Sequence, residues 1–510
     1  MSKGIYITTP IYYVNDVPHI GHAYTTIACD VLARFYRMSG QHVYYLTGTD
    51  EHGQKIADSA AKRGISSHEL VNEVRQRFID TWEKLEIEYD GFISTTEERH
   101  KKVVQEFFKR LQDADAIYKG EYEGWYCTAC ETFWTELQLV DGNCPNEECH
   151  RPVEKVKQES YFLKLSAFQD QILSHIESHP DFIQPQSRRN EIVSFIKEGL
   201  KDLSISRVDV EWGVKVPGDE QHSIYVWFDA LINYVSALGF TSGDETLFRE
   251  LWPADVHVMG KEIVRFHAVI WPIMLMAIGV ELPKVVFGHG WWTVEGAKMS
   301  KTAGNVIDPV ALAQEYGVDV VRYILLRDVP FGSDGDFSKK NLEYRYNAEL
   351  ANNLGNLLSR TLTMIEKYCN GDVPSVDTAS VNNVVVSKMN DVYEKYHSNM
   401  VSLKFDAACA NLLDVLDAAN KFIEEQQPWN LEKEGKTKEL HEVLYTLLET
   451  LRVCGTLFMP FMPGKIQELR RQLGLTEEKI FSKDYFSFGN YPPDVKVVKG
   501  DPLFLRLKVS

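Results

Sequence analysis

The sequence predicts an α/β protein. A doubly wound parallel sheet is split by a small cysteine-bearing insertion and followed by an all-helical bundle. Three observations carry this. Strand-like and helix-like stretches alternate through the first hundred residues and again between about 256 and 290. Four of the eight cysteines crowd into residues 127–149, where that alternation lapses. Beyond about residue 340 the apolar residues recur at helical spacing only, as at Leu350, Leu354, Leu357, Thr361 and Ile365, and again at Leu440, Val443, Leu444, Leu447, Leu451 and Phe458.

Ile5–Thr9 is β-branched and aromatic, so it reads as a strand. Ile20, Ala23, Ile27, Val31 and Met38 then define a helix, with Gly40 at the expected C-terminal cap. Pro18-His19-Ile20-Gly21-His22-Ala23-Tyr24 therefore falls where a strand turns into a helix start. Unpaired backbone N–H groups and the helix dipole make that an anion site. His42–Thr47 reads as a second strand, ending in the polar loop Gly48-Thr49-Asp50-Glu51-His52-Gly53. Open α/β sheets bind ligands at such strand ends, so this half reads as Rossmann-like. A helix is expected over about 67–85.

Cys127-x2-Cys130, thirteen residues, then Cys144 and Cys149-His150 make a knuckle whose thiolates could surround one tetrahedral Zn²⁺. The fourth ligand is Cys149 or His150. Four ligands leave no open position, so the metal would be structural. Helices are expected at about 165–178 and 188–198. Ile224–Ala230 reads as a buried strand running into a helix, Val256–Met259 as a strand, 263–278 as a buried helix and Lys284–Phe287 as a further strand. Gly288-His289-Gly290 follows. Lys298 and Lys301 then sit three apart between Gly296 and Gly304, as a mobile cationic loop able to close on phosphate oxygens.

The formal net charge of −18 excludes a generally basic nucleic-acid binder but not a local RNA-binding surface on an acidic body. No apolar run reaches the length of a membrane span, and Met1–Ile5 passes directly into a strand, so a cytoplasmic protein is expected. Cys29, Cys369, Cys409 and Cys454 lie at apolar helical positions and read as buried thiols.

His19-Ile20-Gly21-His22 with Lys298-Met299-Ser300-Lys301-Thr302 resembles the paired HIGH and KMSKS elements of class I aminoacyl-tRNA synthetases; Thr302 replaces the usual Ser and keeps its hydroxyl. Thr9–Asn15, Thr47–Gly53, Tyr225–Ala230, Gly260–His267 and Gln427–Asn430 resemble blocks of the methionyl-tRNA synthetase family across essentially the whole chain. The valine, isoleucine and leucine families carry a far longer editing insertion than residues 116–225 allow. A catalytically dead RNA-binding module would not need intact histidines and lysines.

The resemblance implies a Rossmann-like catalytic domain (1–115 and 226–290) split by a zinc-knuckle insertion (116–225). A linking segment with the lysine loop (291–345) and an α-helical anticodon-binding domain (346–510) follow. It implies formation of methionyl adenylate from methionine and ATP with Mg²⁺, then transfer to tRNA(Met), initiator tRNA included. His19, Gly21, His22, Lys261, Glu262, His289, Gly290, Lys298 and Lys301 would bind ATP, with His19, His22, Lys298 and Lys301 catalytic. Ile11, Tyr13, Trp227, Ala230, Leu231, Tyr234, Ile263 and His267 would line the methionine pocket, and Asp50 would hold the α-ammonium. Read without the family, Trp227 and Tyr234 are more often ordinary core and Asp50 a loop cap. Asn356 and Arg360, four apart on one helix face, and Trp429 would read the anticodon. A monomer is expected, because residues after the bundle are too few for a further dimer-forming domain.

Overall fold

In the computed structural model, residues 3–14, 17–130, 132–134, 136–146, 149–208, 210–298, 305–475 and 480–508 are described. They form two compact units. One comprises residues up to Pro18 with Val43–Glu83 and Ile87–His289; the other comprises His19–His42, Lys84–Glu86 and Gly290 onward.

The first unit is built on a parallel sheet. Its strands are β1 (Ile5–Thr8), β2 (Val43–Asp50), β3 (Gly91–Ser94), β4 (Ile183–Gln184), β5 (Val256–Gly260) and β6 (Val286–His289). They lie in the order β3-β2-β1-β5-β6-β4, and Tyr12–Tyr13 adds a short parallel strand along the end of β2. The direction of winding reverses between β1 and β5, the place where open α/β sheets leave a crevice beyond the strand ends. Thr8 faces His257 across that pair, and Thr8 Oγ1 lies 2.7 Å from His257 Nδ1. Parallel strands covered on both faces must be apolar throughout; Tyr6, Ile7, Tyr45, Leu46, Val258 and Met259 are all buried.

Three sequence expectations change. Ile224–Ala230 is not a sheet strand entering a helix. The strand is Asp219–Ile224, paired antiparallel in a separate small sheet, and Val226–Leu231 is already helical. A short apolar run does not distinguish buried strand from buried helix. The expected insertion also returns to the main sheet, because Ile183–Gln184 pairs with Val286–Phe287. The buried helix expected over 263–278 is present but irregular: Lys261–Ile263 is a 3₁₀ turn leading in, Phe266–Ile270 a wider π-type segment within it, and Trp271–Ala277 regular α-helix. The cysteine segment rides on an antiparallel sheet in the order Thr132–Trp134, Ile117–Cys127, Glu154–Leu163, Leu203–Ser204.

The second unit joins α1 (Ile20–Met38) to the C-terminal half of the chain. Its helices Asn356–Cys369, Val384–Val401, Phe405–Gln426 and Thr437–Leu457 bury apolar stripes against one another. Among them, Tyr346–Gly355 is another π-type stretch leading directly into Asn356. The joint is polar. Arg322, fully buried, donates to Asp30 of α1 (2.5 Å), to the carbonyls of Leu85 and Glu86, and to those of Pro460 and Phe461. Arg34 also donates to Asp30, at 2.7 Å. No described helix is long and apolar enough to cross a membrane.

Removing one partner of a buried ion pair leaves an uncompensated charge. Arg322→Met is therefore expected to lower the stability of this unit by about 3–5 kcal/mol, read as a shift of the denaturant midpoint.

Candidate active site

In the first unit a cavity of about 340 Å³ opens at the carboxyl ends of the sheet strands, within the range of small-ligand pockets. Ile11 and Tyr13 come from just beyond β1, Asp50 from the last residue of β2, and Trp227, Ala230, Leu231 and Tyr234 from the helical stretch after Tyr225. His267 comes from the π-type turn. Eight of the nine expected methionine-site residues thus meet at one cavity. Ile263 does not line it; its carbonyl accepts the Nδ1–H of His267 at 3.0 Å.

That bond fixes the imidazole. With Nδ1 donating, Nε2 is the acceptor, and the Tyr234 hydroxyl donates to it at 2.7 Å. Burial lowers the His267 pKa to about 4, the Ile263 carbonyl offsetting only part of this, so the ring is neutral. Trp227 stacks on Phe266 with ring centroids 4.1 Å apart. The cavity is thus aromatic along one wall, with one buried carboxylate, Asp50, at its polar end.

Lys261 and Glu262 follow the end of β5, with the Glu262 carboxylate folded back towards Gly260. His289 is the buried last residue of β6.

In the second unit, His19 caps α1 in extended backbone geometry, and the two histidines complete a reciprocal box. The Gly21 N–H donates to His19 Nδ1 (3.1 Å) and the His19 N–H to His22 Nδ1 (3.2 Å). Both Nδ1 atoms being acceptors, each neutral ring carries its proton on Nε2, the donor an anion needs. Burial first, then the neighbouring His19, holds His22 well below the usual histidine range. A Cβ at Gly21 would lie 3.0 Å from His19 Cε1, which explains the glycine.

The Ile20 N–H donates to the carbonyl of Ile307, just past the lysine loop. Tyr24 makes edge contacts with Trp292 and Phe331. Trp292–Val294 and Ala297–Lys298 form a hairpin over Glu295 and Gly296, both at positive φ. Gly290 sits so close to Ser333 that a Cβ would lie 2.2 Å from its carbonyl. Lys301 and the side chain of Lys298 fall outside the described residues.

Cys127, Cys130, Cys144 and Cys149 bring their sulfurs within 4.8 Å of one another; His150 is not in the group. Cys127–Cys149 and Cys130–Cys144 are 3.5 and 3.6 Å apart, and all eight cysteines are free thiols. Tetrahedral Zn²⁺ with Zn–S near 2.3 Å needs sulfurs about 3.8 Å apart, so the donor set fits. Burial pushes the Cys127 thiol up to about 11 and the Cys130 thiol higher still, so these two become thiolates only beside a cation.

Asn356 and Arg360 share a helix face, opposite Asn420 and Glu424 of Phe405–Gln426. Asn356 donates to Asn420 (3.4 Å), and Arg360 pairs with Glu424 (2.7 Å). Trp429 follows in Pro428–Lys433, a helix entered through Gln427 at positive φ.

Sequence reasoning missed Lys55, Ala129 and Cys130 as cavity-lining residues, although Lys55 lies five positions after Asp50. Its ammonium lies 5.6 Å from the centre of the Tyr13 ring. The adjoining Arg207, buried, stacks 4.3 Å over Tyr225 and donates to Ser204 and Ser206.

The neutral His267 has a measurable signature. Its folded-state pKa lies below the unfolded value, so the stability it permits above pH 6.5 is lost as pH falls towards 4. Between pH 7 and 4, His267→Gln should lose about 3 kcal/mol less stability than the parent, measured by urea unfolding at both pH values.

Residues 5–362 match the family described as tRNA synthetases class I (M), and residues 373–507 the anticodon binding domain of methionyl tRNA ligase. The chain is 51% identical over 512 residues to the methionine–tRNA ligase of Caldanaerobacter subterraneus subsp. tengcongensis, covering 100% of this chain and 80% of that one. It is 49% identical to that of Clostridium tetani, covering 100% and 79%. A solved structure of Mycobacterium tuberculosis methionyl-tRNA synthetase in complex with methionyl-adenylate superposes with a TM-score of 0.94 at 41% identity, over 99% of this chain and 100% of that one. Taken with the sheet order and the capped histidine pair, matches of this extent show that the chain belongs to the class I methionyl-tRNA synthetase family.

Proposed function

We propose that the chain is a methionine–tRNA ligase. The methionine carboxylate attacks the α-phosphorus of ATP, the bond to the β-phosphate oxygen breaks, and pyrophosphate leaves. A hydroxyl of the 3′-terminal ribose of tRNA(Met) then attacks the carbonyl carbon of methionyl adenylate, releasing AMP. The observation that carries this reading is the aromatic cavity closed by one buried carboxylate. It suits a zwitterion with a polarizable, uncharged side chain.

Asp50 pairs with the α-ammonium. Trp227, Tyr234, Tyr13, Ile11, Ala230 and Leu231 enclose the thioether. Neutral His267 holds the Tyr234 hydroxyl, so that hydroxyl is not left as an unsatisfied donor beside the thioether. Neither His19 nor His22 need act as a base, because the attacking carboxylate is already ionised. Their Nε2–H groups donate to phosphate oxygens at the helix start, where Gly21, without a side chain, leaves room for the anion. Lys298 and Lys301 neutralise the departing pyrophosphate, Mg²⁺ accompanying ATP shares that charge, and Glu262 takes the ribose with Lys261, His289 and Gly290 alongside. In-line displacement at phosphorus needs this positioning and charge neutralisation more than a covalent protein group.

Zn²⁺ held by Cys127, Cys130, Cys144 and Cys149 supplies a cross-link for a segment without a core of its own. Asn356, Arg360 and Trp429 read the anticodon by base-edge hydrogen bonding and stacking. We further propose the division 1–115, 116–225, 226–290, 291–345 and 346–510 as functional segments, and a cytoplasmic monomer.

ATP–pyrophosphate exchange with a panel of amino acids tests the reading. Methionine should support exchange, and equal exchange with valine or isoleucine would overturn it. In the same assay Lys301→Ala should lose at least about a hundredfold in rate, the scale of one charge-stabilising donor, while methionine still binds by calorimetry. Metal analysis of the purified protein should give about one zinc per chain, lost together with folding of the cysteine segment on chelation.

A further inference from the structure

Behind the cavity lies a group of buried ionisable side chains that the mechanism above does not use. Asp229 is 1% exposed, and both carboxylate oxygens are taken by imidazoles. His52 Nδ1 lies 2.7 Å from one oxygen and His100 Nε2 2.9 Å from the other. Burial alone would raise the Asp229 carboxyl; the two imidazoles more than offset this and hold it at about 2. Taking a carboxylate out of water costs several kcal/mol, so both partners are needed to keep it there.

The connections at either end give the arrangement its meaning. His52 stands two residues after Asp50, on the loop that ends β2. That loop is fixed from outside: the Trp212 Nε1–H donates to the Glu51 carbonyl (2.6 Å), and the Gly53 N–H donates to the Trp212 carbonyl (3.0 Å). Arg75 grips the Glu51 carboxylate with two bonds of 2.6 Å. At the other end, His100 Nδ1 meets Ser236 Oγ at 2.7 Å, and that hydroxyl donates to the Asn233 carbonyl. Asn233 Nδ2 in turn donates to the Ala230 carbonyl at 2.7 Å. Asp229 does not line the cavity, but its neighbours Trp227, Ala230, Leu231 and Tyr234 do. The wall that would enclose the side chain is thus bonded, through one carboxylate, to the loop that would hold the α-ammonium.

We infer that Asp229, clasped between His52 and His100, is a positioning residue that fixes the distance from the Asp50 anchor to the Trp227–Tyr234 wall and so sets the length of amino-acid side chain the cavity accepts. This rests on the methionine-activating reading of the same cavity. Asn at 229 could keep both links, its oxygen accepting from one ring and its amino group donating to the other after a change of tautomer. Ala at 229 removes both links, and the wall can shift relative to the anchor.

The test compares kcat/KM for methionine and ethionine, which differ by one methylene, in pyrophosphate exchange by the full chain. One methylene is worth about 10–200-fold in a well-formed apolar site. Asp229→Ala is expected to cut the methionine-to-ethionine preference by at least about fivefold, mainly through the KM for the amino acids, with the KM for ATP unchanged. Loss of folded protein would lower kcat for both amino acids alike and leave the ratio untouched. An unchanged ratio, with or without lower activity, therefore overturns the inference. Where Asp229→Ala does not accumulate as folded protein, Ser236→Ala opens the chain one link further out, and the ratio must still fall. Absence of methionine-dependent exchange in the parent protein would instead sink the assignment of the reaction.

Discussion

Asp30 and Arg322 meet where neither has any exposed surface, and every N–H of the guanidinium is used: one on the carboxylate and four on backbone carbonyls. A buried charge is tolerated only when so fully satisfied. Those carbonyls belong to the corner at Leu85–Glu86 and to the turn at Pro460–Phe461, so one side chain gathers two further stretches of the second unit onto the helix that begins after His19. The position of the histidine pair follows from this. Its helix is anchored midway by Asp30, at its start by the Ile307 carbonyl, and along its flank by Tyr24 against Trp292 and Phe331.

Histidine protonation is set by second partners in both units, with opposite results. Backbone donors occupy Nδ1 of His19 and His22, which puts the proton of each neutral ring on Nε2. At His267 a backbone acceptor takes the Nδ1–H, and Nε2 becomes the acceptor that orients Tyr234. The same side chain thus presents a donor nitrogen in one place and an acceptor nitrogen in another. The difference lies in one hydrogen bond to main chain, not in the ring.

How much of this was legible in sequence depended on range. The capped histidine pair is local: its reciprocal bonds span three residues, and strand–glycine–helix patterning revealed it. The cysteine cluster announced itself by spacing, down to the choice between Cys149 and His150 that three dimensions narrow to Cys149. The cavity residues were found through family blocks, since Trp227 and Tyr234 look like core by pattern alone. What escaped was non-local. The His52–Asp229 and His100–Asp229 pairs span 177 and 129 residues, and polar groups satisfied across such distances leave no periodic signal. Gly91–Ser94, only four residues long, and Ile183–Gln184, only two, are too short to show alternation. The stretch 224–230 was misread because a continuous apolar run is compatible with either buried strand or buried helix.

Asp30 and Arg322 lie 292 residues apart in the chain. At about 5–20 residues per second, a ribosome needs roughly 15–60 s to pass from one to the other. For most of that interval the first sheet strand and its neighbour have both been synthesised, while the helix between them lacks the C-terminal half of the unit it belongs to. An amphipathic helix with a buried-type carboxylate and an uncovered apolar stripe is the kind of segment that chaperones hold and aggregation recruits. For a nascent chain of this topology, the vulnerable element is the one synthesised almost first and completed almost last.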